Sequence, residues 1–175
     1  MSDVLDRYVD SSYTYRFTQG PGVVRTHEDA LRDGINCVSL AHLALLDLFN
    51  YELPSELQCT EMFLDRQHFT DVRDISQHRL GDLFWFGVDD AVVEPTAFVP
   101  IYDDKGNLTN WKDFPIKHVA VATGRVDDSG DPLLLHSTHI EGTNSIWPMR
   151  KFGDYRRYRK LHGRRALPVG APGAG

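Results

Sequence analysis

One cysteine stands out as a residue whose type and position could carry out chemistry. Cys37 follows Gly34, Ile35 and Asn36 and opens a strongly apolar run, so it falls in the first turn of a predicted helix. The start of a helix has unpaired N–H groups and about half a positive charge, both of which favour a thiolate over a thiol. Cys37 is therefore a candidate nucleophile.

Two histidines, His118 and His136, supply the other groups that a thiol nucleophile requires. His118 lies at the start of one run of β-forming residues, and His136 lies at the end of a second run. A thiol, a base that takes its proton and a group that orients the base are the parts of a cysteine hydrolase. Their order along this chain is cysteine, histidine, histidine.

The composition of the chain narrows the function classes. At 175 residues with 41% hydrophobic content, the sequence suits one domain with a single core. A net charge of −6 argues against general nucleic-acid binding. No apolar run approaches the roughly 18 residues of a membrane span, so we expect no membrane partner. The first twenty residues lack the apolar stretch of a secretory signal, which predicts a cytoplasmic protein or export without an N-terminal signal peptide.

The first half of the chain predicts helices. Thr26 is a favoured N-cap for a short helix that Gly34 would end. Asn36 is a favoured N-cap for the next helix, in which Cys37 would be the first residue and most faces would be buried. Ser55 and Gln58 have the spacing of a capping box, which predicts the start of a third helix.

The second half of the chain predicts strands. Short runs rich in β-forming residues alternate with turn sequences, at 82–87, 96–102, 118–123, 132–137 and 145–149. Helices followed by a meandering sheet predict an α+β fold, with the N-terminal helices packed on an antiparallel β-sheet. We expect the glycine-rich segment 169–175 to be a disordered tail.

Five segments in this order resemble the NlpC/P60 family of papain-like cysteine peptidases. They are Asn36-Cys37, the run from Gly81 to Phe86, the run from His118 to Gly124, the run from Leu135 to Thr138, and the run from Tyr155 to Tyr158. The resemblance implies a papain-like hydrolase domain over residues 26–168, preceded by an N-terminal extension over 1–25. It also implies cleavage of an amide bond in a peptide, such as the stem peptide of peptidoglycan, without a cofactor. Cys37 would be the nucleophile, His118 the base and His136 the orienting third residue.

The chain departs from the family pattern at three places, one of which is a longer spacing between His118 and His136 that the turn at 127–131 absorbs. The family usually has Asp-Cys-Ser-Gly at the nucleophile, where this chain has Asn36-Cys37-Val38-Ser39. Because a neutral amide cannot pair with an ammonium group as a carboxylate can, we expect a different preference for the amino end of the substrate. The segment 88–111 reads as an insertion that could form a flap beside the cleft.

Other interpretations of the same residues remain open. An acyltransferase or thioesterase would use the same thiol on another acceptor, and a binding module could keep the fold without the activity. His136 and His139, with Cys37 and His118, could also form a zinc site, although residues three apart in a strand point to opposite faces. The basic cluster from Arg156 to Arg165 predicts the solvated face of a closing strand rather than a nucleic-acid site.

Overall fold

The computed structural model describes residues 4–9, 12–87, 101–106, 109–110, 116–158 and 160–166. These residues form an α+β fold, as the sequence predicts. Four α-helices are present in this part of the chain: α1 (His27–Asp33), α2 (Cys37–Phe49), α3 (Cys59–Leu64) and α4 (Met149–Phe152). Short 3₁₀ segments occur at Val4–Val9, Ile75–Gln77 and Arg156–Tyr158.

A six-stranded sheet forms the other layer. Its strands are β1 (Phe69–Val72), β2 (Leu83–Gly87), β3 (Ile116–Val126), β4 (Pro132–Thr138), β5 (Thr143–Pro148) and β6 (Lys160–Ala166). Their spatial order is β1-β6-β2-β3-β4-β5, and every neighbouring pair is antiparallel. Helices α1, α2 and α3 precede an antiparallel sheet in the chain. This order confirms the predicted α+β arrangement of helices followed by a sheet.

The two faces of the sheet carry two separate apolar clusters. Because side chains alternate along a strand, Trp85 and Val119 lie on the face that α2 and α3 cover. Phe84 and Ala120 lie on the opposite face, which α4 and the 3₁₀ segment Arg156–Tyr158 cover. The aromatic residues of β2 therefore belong to the core on both faces of the sheet.

The ends of the first two helices follow the sequence. Thr26 caps α1 with a two-way capping box, and Gly34 ends that helix with a positive φ of 92°. Asn36 caps α2, and Cys37 is its first residue. Buried residues occur along most of α2, from Val38 to Leu45.

The predicted start of the third helix is wrong. Pro54 and Ser55 enter a turn, in which the Leu57 N–H donates to the Pro54 carbonyl. The side chain of Gln58 donates to the Ser55 carbonyl, so the predicted capping box does not form. Helix α3 therefore begins three residues later than predicted, at Cys59, with Gln58 as an N-cap that makes no side-chain capping bond.

The predicted solvated face of the closing strand is also wrong at two residues of β6. The Arg164 side chain is only 1% exposed and donates to the main-chain carbonyls of Phe63, Asp65 and Phe69. Arg165 forms a two-pronged ion pair with the buried Asp82 carboxylate. These two basic residues join the sheet to neighbouring segments because backbone carbonyls and a carboxylate satisfy their guanidinium groups.

Several predicted features lie outside the described residues. These are most of the strand predicted at 96–102, most of the insertion 88–111 and the tail 169–175. The described turn at 101–106 contacts α3, where the Tyr102 hydroxyl donates to Glu61. Among the helices that the structure describes, none has the length and apolarity needed to cross a bilayer.

Candidate active site

The cap of helix α2 fixes the position of Cys37. Asn36 Oδ1 accepts from the N–H groups of Val38 and Ser39, at 3.0 and 2.9 Å. The Asn36 N–H donates to Ser39 Oγ, which completes a reciprocal capping box. Asn36 Nδ2 also donates to the Phe17 carbonyl at 3.1 Å, so the preceding segment is tied to the start of the helix. Cys37 is partly buried against the core cluster that α2 shares with the sheet.

The sulfur of Cys37 lies at a gap between β3 and β4. The ladder of these strands begins with the pair Val121–Leu135 and continues toward the hairpin turn. Val119 lies before this ladder, and its N–H is close enough to the Cys37 sulfur to lower the pKa of the thiol. The start of helix α2 thus lies close to the β3 backbone at Val119, the residue after His118.

His118 and His136 form a direct hydrogen bond across the same gap. The distance from His118 Nε2 to His136 Nδ1 is 2.9 Å, and both side chains are buried. His118 pairs with Phe86 of β2, so its ring points to the sheet face opposite α2. His136 lies on that same face because its neighbour Leu135 points to the α2 side.

An aromatic shell surrounds the two imidazole rings. The Tyr158 ring stacks on His118, with ring centroids 4.7 Å apart and an interplanar angle of 25°. The His136 ring meets Trp147 edge-on at 4.2 Å and Phe152 at 4.7 Å. The Tyr158 hydroxyl is also hydrogen-bonded to Thr138 at the end of β4. These contacts fix both ring planes and keep them away from water.

Burial controls the protonation states of the site. It raises the pKa of Cys37 to about 11, against the lowering effect of the Val119, Cys37 and Val38 N–H groups on the sulfur. Burial also lowers the pKa of His118 to about 3, and the positive charges of His139 and Arg157 contribute in the same direction. The pKa of His136 is lowered mainly by burial and then by His118. The resting site is therefore a neutral thiol beside neutral imidazoles, whereas the helix start alone predicts a thiolate.

His139, the second histidine of the H-x-x-H pair, does not lie beside His136. His139 is exposed and lies next to Tyr15, with ring centroids 6.1 Å apart, whereas His136 is buried. Within the described ranges, no group of three or more histidine, cysteine, aspartate or glutamate side chains is arranged to hold a metal ion. The arrangement suits proton transfer between the two imidazoles.

Sequence reasoning missed several groups of this site. Trp147 and Phe152 contact His136, and no motif around them indicated that role. The Val119 N–H is a backbone group, so only the gap between the strands reveals it. The sequence does offer Tyr13 and Tyr15 as candidates for a further contributor to the site. Burial, and then the charges of Cys37 and Tyr158, raises the pKa of Tyr15 to about 12.

Comparison with known proteins does not assign a family to this chain. No protein-family model matches it, and no curated protein matches it significantly.

Proposed function

We propose that this protein is a papain-like cysteine hydrolase of the NlpC/P60 type that cleaves an amide bond in a peptide. The observation that carries the proposal is the 2.9 Å bond between His118 and His136 beside the Val119 N–H that meets the Cys37 sulfur. A thiol, a base and a group that orients the base are the parts of nucleophilic acyl transfer with a cysteine. An antiparallel sheet that carries both histidines next to the cysteine helix is also what a papain-like core would have.

The hydrogen bond between the imidazoles supports the assignment of His118 as the base. Because each neutral ring has one N–H, one of the two rings must donate in the 2.9 Å bond. If His118 donates through Nε2, its Nδ1 carries a lone pair that can accept the Cys37 proton. His136 is then protonated at Nε2, a buried nitrogen without a hydrogen-bond partner.

The aromatic shell favours this tautomer. The His136 ring is packed between Trp147 and Phe152, which present π-electrons rather than hydrogen-bond donors to it. An N–H directed at an aromatic ring is weakly favourable, whereas a bare nitrogen lone pair gains nothing there. His136 thus acts as an acceptor toward His118, and His118 keeps its Nδ1 free for the thiol.

Proton transfer and attack on the substrate are coupled in this mechanism. His118 takes the Cys37 proton as the sulfur attacks the carbonyl carbon, since a free thiolate is disfavoured in the resting site. The stacked Tyr158 ring stabilises the imidazolium that forms. The Cys37 N–H, at the first helical position, is available to the oxyanion. His118 then protonates the leaving amine, and water releases the acyl group from the sulfur.

The substrate preference follows from Asn36. Its side chain is neutral, and Oδ1 and Nδ2 are both engaged with the backbone at the start of α2. It therefore offers no negative charge to a free amino end. We expect the enzyme to cleave N-blocked peptides or other amides at least as well as stem peptides that have a free amino end.

A substrate panel tests the proposal. Purified muropeptides and matched free and N-acetylated peptides are incubated with the wild-type protein, with C37A and with N36D, and products are followed by mass spectrometry. Hydrolysis that requires Cys37 supports the proposed activity. Asn36→Asp keeps a capping oxygen and adds a charge, so it should shift the preference toward free amino ends. Faster cleavage of free-amino stem peptides by the wild type would contradict the substrate assignment.

A binding module without turnover is the second candidate. The raised pKa of Cys37 and the lowered pKa of His118 favour it, because neither group is charged at rest. It predicts that wild type and C37A bind the same peptides with the same affinity and that neither releases a product.

A further inference from the structure

A cavity of about 410 Å³ lies between the segment 21–25, helix α2 and the loop 51–55. This volume is within the range of small-molecule sites. His42 lines the cavity five residues after Cys37, which places it about 140° around the helix from the thiol. Cys37, His118 and His136 are not among the lining residues. The cavity is therefore separate from the candidate active site.

The floor of the cavity is apolar. Val24, Leu43 and Leu53 line it, and each is at most 5% exposed. Their side chains belong to the same core cluster and are held by its packing. A ligand would therefore place an aliphatic or aromatic group against this floor, because burial of apolar surface is the favourable contribution available there.

His42 gives the wall an acceptor of fixed orientation. Its Nε2 lies 2.8 Å from the Leu57 carbonyl oxygen, which can only accept, so Nε2 carries the proton. Nδ1 is then a lone-pair acceptor. Burial lowers the pKa of His42 to about 4, so the ring is neutral at physiological pH. The wall can receive an N–H donor from a ligand.

Opposite charges lie at the rim. Arg25 and Glu52 are both exposed residues that line the cavity. The Arg25 guanidinium donates to Ser55 Oγ at 3.3 Å, which directs it across the loop. Among the described residues, neither Arg25 nor Glu52 forms an ion pair with another side chain. The rim thus presents one cation and one anion that are available to a ligand.

We propose that this cavity binds a free apolar α-amino acid. Its carboxylate pairs with Arg25, and its ammonium group pairs with Glu52 and donates to His42 Nδ1. Its side chain rests on the apolar floor. A carboxylate and an ammonium on one carbon, next to an apolar group, match the rim, wall and floor together. This binding does not depend on the proposed hydrolase activity.

Calorimetric titration of the full chain tests each part of this recognition. Four probes are used: leucine, N-acetylleucine, leucinamide and glycine. Leucine has all three recognised groups. N-acetylleucine lacks the ammonium group, leucinamide lacks the carboxylate, and glycine lacks the apolar side chain. We expect leucine to bind at least about tenfold more tightly than each of the other three, because each analogue leaves one group of the site unpaired.

Variants at the rim complete the test. Arg25→Gln and Glu52→Gln should each weaken leucine binding about tenfold or more. The control is R32Q, which changes an exposed arginine of α1 outside the cavity and should leave leucine binding unchanged. Circular dichroism of each variant verifies the fold. Absence of leucine binding by the wild type, equal binding of all four probes, or equal effects of R25Q and R32Q would overturn the proposal. None of these results bears on whether Cys37 cleaves amides.

Discussion

Cys37 and Cys59 occupy the same local position, yet their surroundings differ. Each is the first residue of a helix. Asn36 caps the helix of Cys37 with two hydrogen bonds, whereas Gln58 makes no side-chain capping bond to the helix of Cys59. The Cys37 sulfur meets the Val119 N–H beside the histidine pair. The pKa of Cys59 is raised well above its ordinary value by burial and then by the charges of Cys37 and Glu61.

A helix start alone does not lower the pKa of a cysteine thiol in this protein. Burial raises the pKa of both thiols, so the N–H groups at a helix start do not by themselves produce a thiolate. The two sites differ in the histidine pair that lies near the start of α2. His118 stands next to the residue whose N–H contacts Cys37, and His136 holds its ring.

Replacement of each cysteine by alanine should change the rate of amide hydrolysis by very different factors. Cys37→Ala should lower the rate of amide hydrolysis by a factor on the order of 10³ or more, because no other group replaces the nucleophile. Cys59→Ala should retain the wild-type rate within about twofold. Steady-state kinetics on a peptide cleaved by the wild type measure both. Comparable losses in the two variants would remove the basis of the comparison.

The two histidines should differ in a second measurement. His118→Ala should lower kcat by about 10²–10⁴-fold, the usual contribution of a general base, and His136→Ala should leave more activity because it acts through His118. The lowered pKa of His118, about 3, keeps the base neutral, so kcat/KM of the wild type should stay level from about pH 8 to about pH 5.

His136→Ala exposes the His118 ring to water. The pH at which kcat/KM falls on the acid side should therefore rise toward the ordinary histidine pKa of about 6.5. A level profile in this variant would show that His136 does not control the protonation of His118. Equal losses of kcat in the two variants would require a larger role for His136.

The pH dependence of alkylation gives a smaller but direct contrast. Because the folded protein raises the pKa of Cys37 to about 11, the thiolate is scarce at neutral pH and increases with pH. The rate of iodoacetamide labelling should rise by about tenfold per pH unit between about pH 7 and pH 10. Peptide mapping of the C59A and C37A variants should show Cys37 reacting before Cys59. A plateau that begins near pH 6 would instead indicate a stable thiolate–imidazolium pair.

The smallest effect concerns the two helix caps. Asn36→Ala should lower the free energy of unfolding by about 1 kcal/mol, because it removes the acceptor of two backbone N–H groups. Gln58→Ala should change it by less than about 0.5 kcal/mol, since Gln58 makes no side-chain capping bond. Urea unfolding followed by circular dichroism compares the two variants. Equal losses would mean that the caps do not distinguish the two helix starts.

Local sequence predicted the elements where a single residue type controls the backbone. The caps at Thr26 and Asn36 and the end at Gly34 follow from side-chain acceptors and from a positive φ. The start of α3 was predicted wrongly because the turn at Pro54 competes for the same residues. The burial of Arg164 could not be predicted, since its acceptors are carbonyls that lie about 100 positions away in sequence.

The amino-acid sequence alone indicated which groups could react: a thiol at a helix start and a histidine in each of two strands. These depend on residue type and on local periodicity, which a sequence records directly. The tertiary structure alone decided that β3 and β4 separate before Val121, that the Val119 N–H meets the Cys37 sulfur and that aromatic rings enclose His136. It also decided the protonation states, because desolvation depends on every element packed around a group and not on the neighbours of that group along the chain.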